Sequence, residues 1–310
     1  MSTPRVIDAV LEASIVGGFS RIGYEVRSRA SGWDSHWDMS GTRVLLTGGT
    51  SGIGLAAARR MSEAGATVAI TGRDQNRLAT AAHAIAEVGE APLTLQADSA
   101  DLFAVSEMFE RALNDLGGLD VLVNNAGALT HHYTVGPQGF EMTYTVHVLA
   151  PFLLTAKAIP VIGADGKVIT VSSGGMYSER LVPSEVEMTR ADYDGVTAYA
   201  RAKRAQVALN EAWARRYPDG PTFAAMHPGW ADTPGVQDSL PGFRRLTAPI
   251  LRTPEQGADT IAWLAGHDTP SGRFWLDRQP RSTVRLPWAR HQEDRVDELF
   301  TQVREQTQVV

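Results

Sequence analysis

From Thr42 onward the chain alternates short apolar runs with stretches of helical periodicity, and this alternation restricts the available folds more than any other feature. Arg43–Leu46, Val68–Ile70, Leu93–Gln96, Val121–Val123, Val168–Val171 and Phe223–Met226 read as strands, and Phe274–Leu276 adds a further one, giving about seven. Gly54–Ala64, Asn76–Val88, Leu102–Leu116, Phe140–Ala158, Ala198–Arg216 and Pro254–Ala265 read as helices. Strands alternating with helices imply βαβ units, hence a parallel sheet covered on both faces. Right-handed crossovers leave few topologies, and the doubly wound sheet leads among them. The 310 residues suit one α/β unit with a full core. We expect residues 41–280 to form that unit, with 281–310 as a polar surface tail.

Composition narrows the partners. Net charge is −6, which argues against binding a nucleic-acid phosphate backbone and gives little pull toward anionic membranes. Cysteine is absent, so disulfides, thiolate metal sites and cysteine nucleophiles are excluded, and no metal site is expected. No run of 18 apolar residues occurs, so no membrane-spanning helix is expected. Asp8 and Glu12 interrupt the apolar stretch Val6–Val16, which does not read as a secretory signal. The default location is cytoplasmic. Residues 1–40 differ from the rest: Val6, Ile7, Val10, Leu11 and Ile15 recur at helical spacing, and Gly17–Gly18 closes this short amphipathic helix. The arm reads as packed on the main unit, with a partner or peripheral membrane contact as the alternative.

The first strand runs into Thr47-Gly48-Gly49-Thr50-Ser51-Gly52-Ile53-Gly54 and then a helix. A strand, a glycine turn and a helix N-terminus form an anion site suited to a pyrophosphate. The turn lacks the G-K-[ST] ending of a nucleoside-triphosphate loop, which argues against a kinase or ATPase. The second strand ends Thr71-Gly72-Arg73-Asp74. An arginine at that strand end accommodates the 2′-phosphate of NADP, whereas a carboxylate favours NAD. Arg73 therefore points to NADP, with NAD open, and Asp74 reads as the cap of the next helix. Asp98, after the third strand, is placed to accept from an adenine amino group. Asn125, Ala126 and Gly127 follow the fourth strand, where small residues let the chain pass close to a ribose.

Tyr199 and Lys203 lie four apart in a helix and share a face. A free phenol, with a pKa near 10, is a poor base at neutral pH, and a nearby ammonium lowers it toward the range acid–base catalysis wants. Ser172 and Ser173 close the fifth strand at its carboxyl end, where open α/β sheets bind their ligands. A hydroxyl there suits a substrate oxygen beside Tyr199.

In this order, Thr47–Gly54, Asn124–Gly127, Ser173, Tyr199 with Lys203, and Pro228-Gly229-Trp230-Ala231-Asp232-Thr233 make the chain resemble the short-chain dehydrogenases/reductases over about residues 41–275. Val171–Met176 and His227–Gly235 look like one branch of it, called dehydrogenase/reductase member 12. The resemblance implies a Rossmann-type fold. It also implies Tyr199 as acid/base and Lys203 as its tuner and a ligand of the nicotinamide ribose. Ser173 would orient the substrate, and Pro228, Gly229 and Thr233 would lie at the nicotinamide. Ser51 is neutral where some NADP-binding members carry a basic residue. Two departures stand out. His147 occupies a position where many members have an asparagine of a proton relay, and either relays protons itself or fills space. The Tyr177–Gly195 segment, with Glu179, Glu185, Glu187, Asp192 and Asp194, is longer than in compact members; it is expected to wall the pocket, its acidity keeping a surface loop soluble.

The expectation is an NADP(H)-dependent oxidoreductase acting on a small carbonyl or alcohol. The rival is a dinucleotide-binding sensor or scaffold without turnover; an epimerase or methyltransferase fits the residues less well. Leu240, Phe243 and Leu246 within Ala231–Ala248 suggest a lipophilic cover over the substrate. A homo-oligomer stays open.

Overall fold

The computed structural model describes residues 5–233, 237, 241–285 and 292–309. Among them one sheet has eight strands in the order β3-β2-β1-β4-β5-β6-β7-β8. These are β1 (Arg43–Leu46), β2 (Thr67–Gly72), β3 (Leu93–Gln96), β4 (Val121–Asn124), β5 (Lys167–Val171), β6 (Thr222–Met226), β7 (Arg273–Leu276) and β8 (Gln279–Arg281). The first seven run parallel, and the edge strand β8 turns back antiparallel on β7. Val44 pairs with Val68 on one side and Val121 on the other. Such apolar runs belong between two helical layers.

Helices α1 (Arg5–Ala13), α2 (Ile15–Phe19) and α3 (Arg21–Ser31) precede the sheet. Then come α4 (Gly52–Glu63), α5 (Gln75–Ala86), α6 (Leu102–Leu116), α7 (Met142–Ile162), α8 (Gly195–Arg216), α9 (Pro241–Thr247), α10 (Pro254–Gly266) and α11 (Glu293–Thr307). Helices α4, α5 and α10 cover one face of the sheet, around Val44, Ile70, Met61 and Ile261. Helices α6, α7, α8 and α11 cover the other, around Leu45, Leu122, Phe152 and Trp213. Sequence capping is read correctly at Asp74, whose carboxylate accepts from Arg77 N at 2.9 Å. By length and composition α7 is apolar enough to cross a membrane, although it holds no unbroken run of 18 apolar residues. Here Tyr144, Leu149 and Phe152 bury it in the core.

Two expectations need correcting. The arm holds three helices rather than one, and Gly17–Gly18 lies inside α2 rather than ending a helix. These glycines permit a close crossing: a Cβ on Gly23 of α3 would stand 2.0 Å from the Gly17 carbonyl oxygen. Secondly, residues 293–307 are no surface tail. Helix α11 buries Val296, Leu299, Phe300 and Val303, and the Phe300 ring lies 4.7 Å from Trp213 and 5.0 Å from Phe152. The segment is polar on average, but its four apolar residues fall on one face, and only the folded α7 and α8 surfaces show what they meet. Leu299→Ala is expected to cost about 2–3 kcal/mol, because Leu299 is fully buried. Urea unfolding checks it; a loss within about 0.5 kcal/mol would mean that α11 is only a surface element.

Candidate active site

The carboxyl ends of β1, β4, β5 and β6 meet along one edge of the parallel sheet. Between β1 and β4 the strand order reverses, the point where doubly wound sheets open a ligand crevice.

The glycine turn is built there by sterics. Gly48 has φ 72°, and a Cβ on it would stand 2.8 Å from Ala126 Cα. Gly52 has φ 55°. A Cβ on Gly54 would meet the Gly48 carbonyl oxygen at 2.2 Å. The chain thus folds back on itself with no space for side chains. Thr47 ties the turn to the next loop: its Oγ1 accepts from the backbone N–H groups of Asn125 and Ala126, both at 3.0 Å. Asn125 Nδ2 returns two bonds, to the carbonyls of Thr47 at 2.9 Å and Gly48 at 3.1 Å. Ser51 precedes α4 without capping it through its side chain. Bare glycines and an uncapped helix N-terminus fit the pyrophosphate of a dinucleotide. Thr50 and Ile53 are half-buried in this turn, against Gly72 and Gly257.

Arg73 and Asp98 are exposed beyond β2 and β3. Asp98 is used locally, its carboxylate accepting from Ala100 N at 3.0 Å. Sequence reasoning missed Arg77, whose Nη2 donates to Ser51 Oγ at 3.0 Å. A guanidinium therefore stands over the turn, supplied by α5 rather than by the turn itself. The signal was present: Arg77 lies four residues after Arg73, in the first turn behind the Asp74 cap.

Tyr199 joins this cradle through a chain of contacts. Its ring meets the His147 ring edge-on at 5.2 Å. His147 packs on Gly127, where a Cβ would stand 2.6 Å from its Cε1. Gly127 continues the Asn125–Ala126 segment that holds Gly48. Tyr199 is half-buried, and burial raises its phenol above the ordinary range, opposed by a hydrogen bond with Ser173. Ser173 also accepts from Gly175 N at 3.2 Å. Ser172 is structural: its hydroxyl donates to the Lys203 carbonyl at 2.9 Å, pinning α8 to β5.

Lys203 shares the Tyr199 face as expected, with Nζ 5.4 Å from the ring centroid. It donates to the Val171 carbonyl at 2.7 Å, and burial pushes its ammonium down to about 7. It does not lower the Tyr199 phenol in this structure; helical spacing supplied the shared face but not the desolvation.

His147 lies in a π-helical turn, Thr145–Leu149, fully buried. Nε2 donates to the Ala128 carbonyl at 2.7 Å, while Nδ1 has no hydrogen-bond partner. Burial, and then Lys203, hold the imidazole well below its usual range, so it is neutral at neutral pH. A cavity of about 20 Å³ lined by His147, Thr155, Thr170 and Gln206 has room for one water.

The far side of the cleft is set by the arm. Gly229 has φ 74°, and a Cβ there would stand 2.6 Å from the Phe19 carbonyl oxygen. Trp230 N donates to that oxygen at 2.8 Å. The Phe19 ring lies against Gly174, next to Ser173, and 4.4 Å from the His227 ring. Arg252 donates to Phe19, Gly18 and Pro228 carbonyls and pairs with Asp277. No local motif signals that residues 230 positions apart meet here. Pro228 and Thr233 are half-buried at this end. Leu246 is exposed, 84%, while Leu240 and the Phe243 side chain lie outside the described residues.

The acidic segment before α8 is tied down rather than free. Glu179 and Glu185 pair with Arg201, Glu187 accepts from Glu141 N, and Asp194 caps α8 by accepting from Thr197 N at 2.8 Å. Tyr193 Oη lies within hydrogen-bond reach of Thr130 and Thr143, joining the segment to the loop after β4.

The family model described as short chain dehydrogenase matches residues 42–242. The chain belongs to the short-chain dehydrogenases/reductases. Its similarity extends beyond the matched stretch: the Bos taurus dehydrogenase/reductase SDR family member 12 is 38% identical over 280 residues, covering 88% of each chain. Among solved structures, a short-chain dehydrogenase from Burkholderia cenocepacia in complex with NADP superposes with a TM-score of 0.64 at 29% identity, over 77% of this chain and 96% of that one. A metagenomic blue fluorescent protein in complex with NADPH gives 0.64 at 30% identity, over 77% and 96%. Membership makes the chain a pyridine-nucleotide-dependent oxidoreductase, and among short-chain dehydrogenases/reductases it lies near the member 12 branch.

Proposed function

We propose that the protein is an NADP(H)-dependent carbonyl reductase or alcohol dehydrogenase with Tyr199 as its acid/base. The observation that carries this reading is the contact chain from the Tyr199 ring to His147, from His147 to Gly127, and from the adjoining Asn125 and Ala126 to Gly48, which links the tyrosine helix to a turn shaped for a dinucleotide.

A bound nicotinamide supplies or accepts the hydride. The chain's own residues do the rest. Thr47–Gly54 hold the pyrophosphate on the α4 N-terminus, and Asp98 and Asn125–Gly127 border the adenosine and ribose. Pro228, Gly229 and Thr233 border the nicotinamide. Ser173 and Tyr199 hydrogen-bond the substrate oxygen; in the reduction direction Tyr199 gives it a proton as the carbon–oxygen double bond becomes single. Hydrogen bonds that strengthen as charge develops on oxygen supply the rate. Nicotinamide-ribose hydroxyls accepting from Lys203 would favour its ammonium form, and only that form lowers the phenol. His147, neutral and clamped, orients Tyr199 rather than shuttling a proton as a cation. NADP fits better than NAD because Arg73 and Arg77 both stand near the adenosine ribose, where a 2′-phosphate adds charge for them to pair.

Titration with NADPH and NADH, followed by a carbonyl and alcohol screen read at the absorbance of reduced nicotinamide, tests the function. Binding without turnover of any substrate would favour a sensor. Arg77→Ala is expected to weaken NADPH by about 10–100-fold and leave NADH nearly unchanged, the loss of a charge-assisted phosphate contact. Equal weakening of both would remove Arg77 from the 2′-phosphate site.

A further inference from the structure

Helix α1 turns both of its carboxylates inward and leaves Val6 and Val10 outward, the reverse of an ordinary surface helix. Asp8 and Glu12, one turn apart, face inward to Arg27, Arg281 and Arg285. The opposite face carries Val6 and Val10, 76% and 67% exposed, with exposed Ala9 and Ala13 beside them. Helix α2, packed against α1, adds Ile15 and Val16, and α3, packed against α2, adds Ile22, all about half exposed. Single exposed apolar residues are ordinary, but a run along three successive helices marks a contact surface.

The rim of this surface is cationic. Arg21 and Arg29 share the outward face of α3 with Ile22, and Glu25 between them offsets one of the two charges. Arg21 Nη2 donates to the Pro249 carbonyl at 3.3 Å. That bond joins the arm to the segment bearing exposed Arg245 and Leu246. Turning both α1 carboxylates toward Arg27, Arg281 and Arg285 leaves no α1 anion beside the apolar stripe.

We propose that this face rests on a bilayer containing anionic lipid, with the aliphatic side chains at the headgroup–acyl boundary and Arg21, Arg29 and Arg245 among the lipid phosphates. Two observations favour lipid over a second copy of the chain. The six apolar side chains of the stripe, Ile7 included, with Ala9, Ala13, Arg21, Arg29, Arg245 and Leu246 make twelve residues, below the roughly 20–30 per side of a standard protein interface. Its arginines would also face one another across a two-fold axis. Through Arg21 the surface adjoins Pro249, which follows helix α9.

Flotation of the full chain with extruded vesicles tests this, using phosphatidylcholine alone and phosphatidylcholine mixed with phosphatidylserine. The protein is expected to float with the anionic vesicles, less with the neutral ones, and less again in added salt. Val10→Glu combined with Ile15→Glu should lower the bound fraction about tenfold while leaving the melting temperature and turnover of a water-soluble carbonyl unchanged. Arg29→Gln with Arg245→Gln should erase the preference for phosphatidylserine. Failure to float with either vesicle, or flotation unaffected by the glutamates, would overturn the proposal. So would a dimer seen by light scattering that the same glutamates dissolve, because the surface would then belong to a second copy.

Discussion

Tyr199→Phe is expected to bind NADPH like the parent protein and to lose turnover by about 10²–10⁴-fold, the usual contribution of a general acid or base. The substitution removes one oxygen and keeps the ring. Edge-on packing against His147 and the stacking of Lys203 Nζ over the ring do not need the hydroxyl, so the cradle should hold its shape. What disappears is the proton and the hydrogen bond to Ser173. Nucleotide binding followed by fluorescence, beside turnover followed by absorbance, separates the two effects. Parental turnover in this variant would remove Tyr199 from the chemistry. A parallel loss of nucleotide affinity would say instead that the hydroxyl supports the cleft.

Asp277→Asn is expected to destabilise the protein by about 3–5 kcal/mol, the cost of leaving buried cations short of their anion. Asp277 is fully buried and has φ 56°, a conformation asparagine also tolerates, so the backbone is not the issue. It accepts from Arg27 at 2.7 Å and from Arg252 at 2.6 and 2.9 Å. Burial alone would raise its carboxyl, but the two guanidiniums win and hold it below the usual range. A carboxyl depressed on folding stabilises above its unfolded pKa, about 3.9, and that stabilisation is lost as pH falls through the lower folded value. The gap between parent and variant should therefore be full at neutral pH and narrow only in acid below about pH 4. Urea unfolding across that range measures it; a gap that stays constant into strong acid would mean the carboxylate charge is not what matters. Since Arg252 also holds the Phe19 and Pro228 carbonyls, trypsin should cut the arm of the variant faster.

The reading of the chain succeeded where chemistry is local. A glycine turn announces itself because only glycine tolerates the positive φ of Gly48 and Gly52 and the close passage at Gly54. The strand ends, the Asp74 cap and the one-turn spacing of Tyr199 and Lys203 follow from rules spanning a few residues. It failed where partners are remote. Helix α11 looked like a polar tail because its four buried residues gain meaning only against Trp213 and Phe152. The acidic residues before α8 looked like solubilising charge because Arg201 and Glu141 N, their partners, are not neighbours in the chain.

The sequence by itself determined the doubly wound sheet, the glycine turn after β1 and the shared helix face of Tyr199 and Lys203, since periodicity and backbone sterics act over short stretches. The tertiary structure alone decided the state of those groups and the walls around them. Burial brings Lys203 down to about 7 and raises the Tyr199 phenol. Phe19, from an arm that precedes the sheet, lies against Gly174 and beneath Gly229. Desolvation and long-range contact depend on what surrounds a residue in three dimensions, and no spacing along the chain records that.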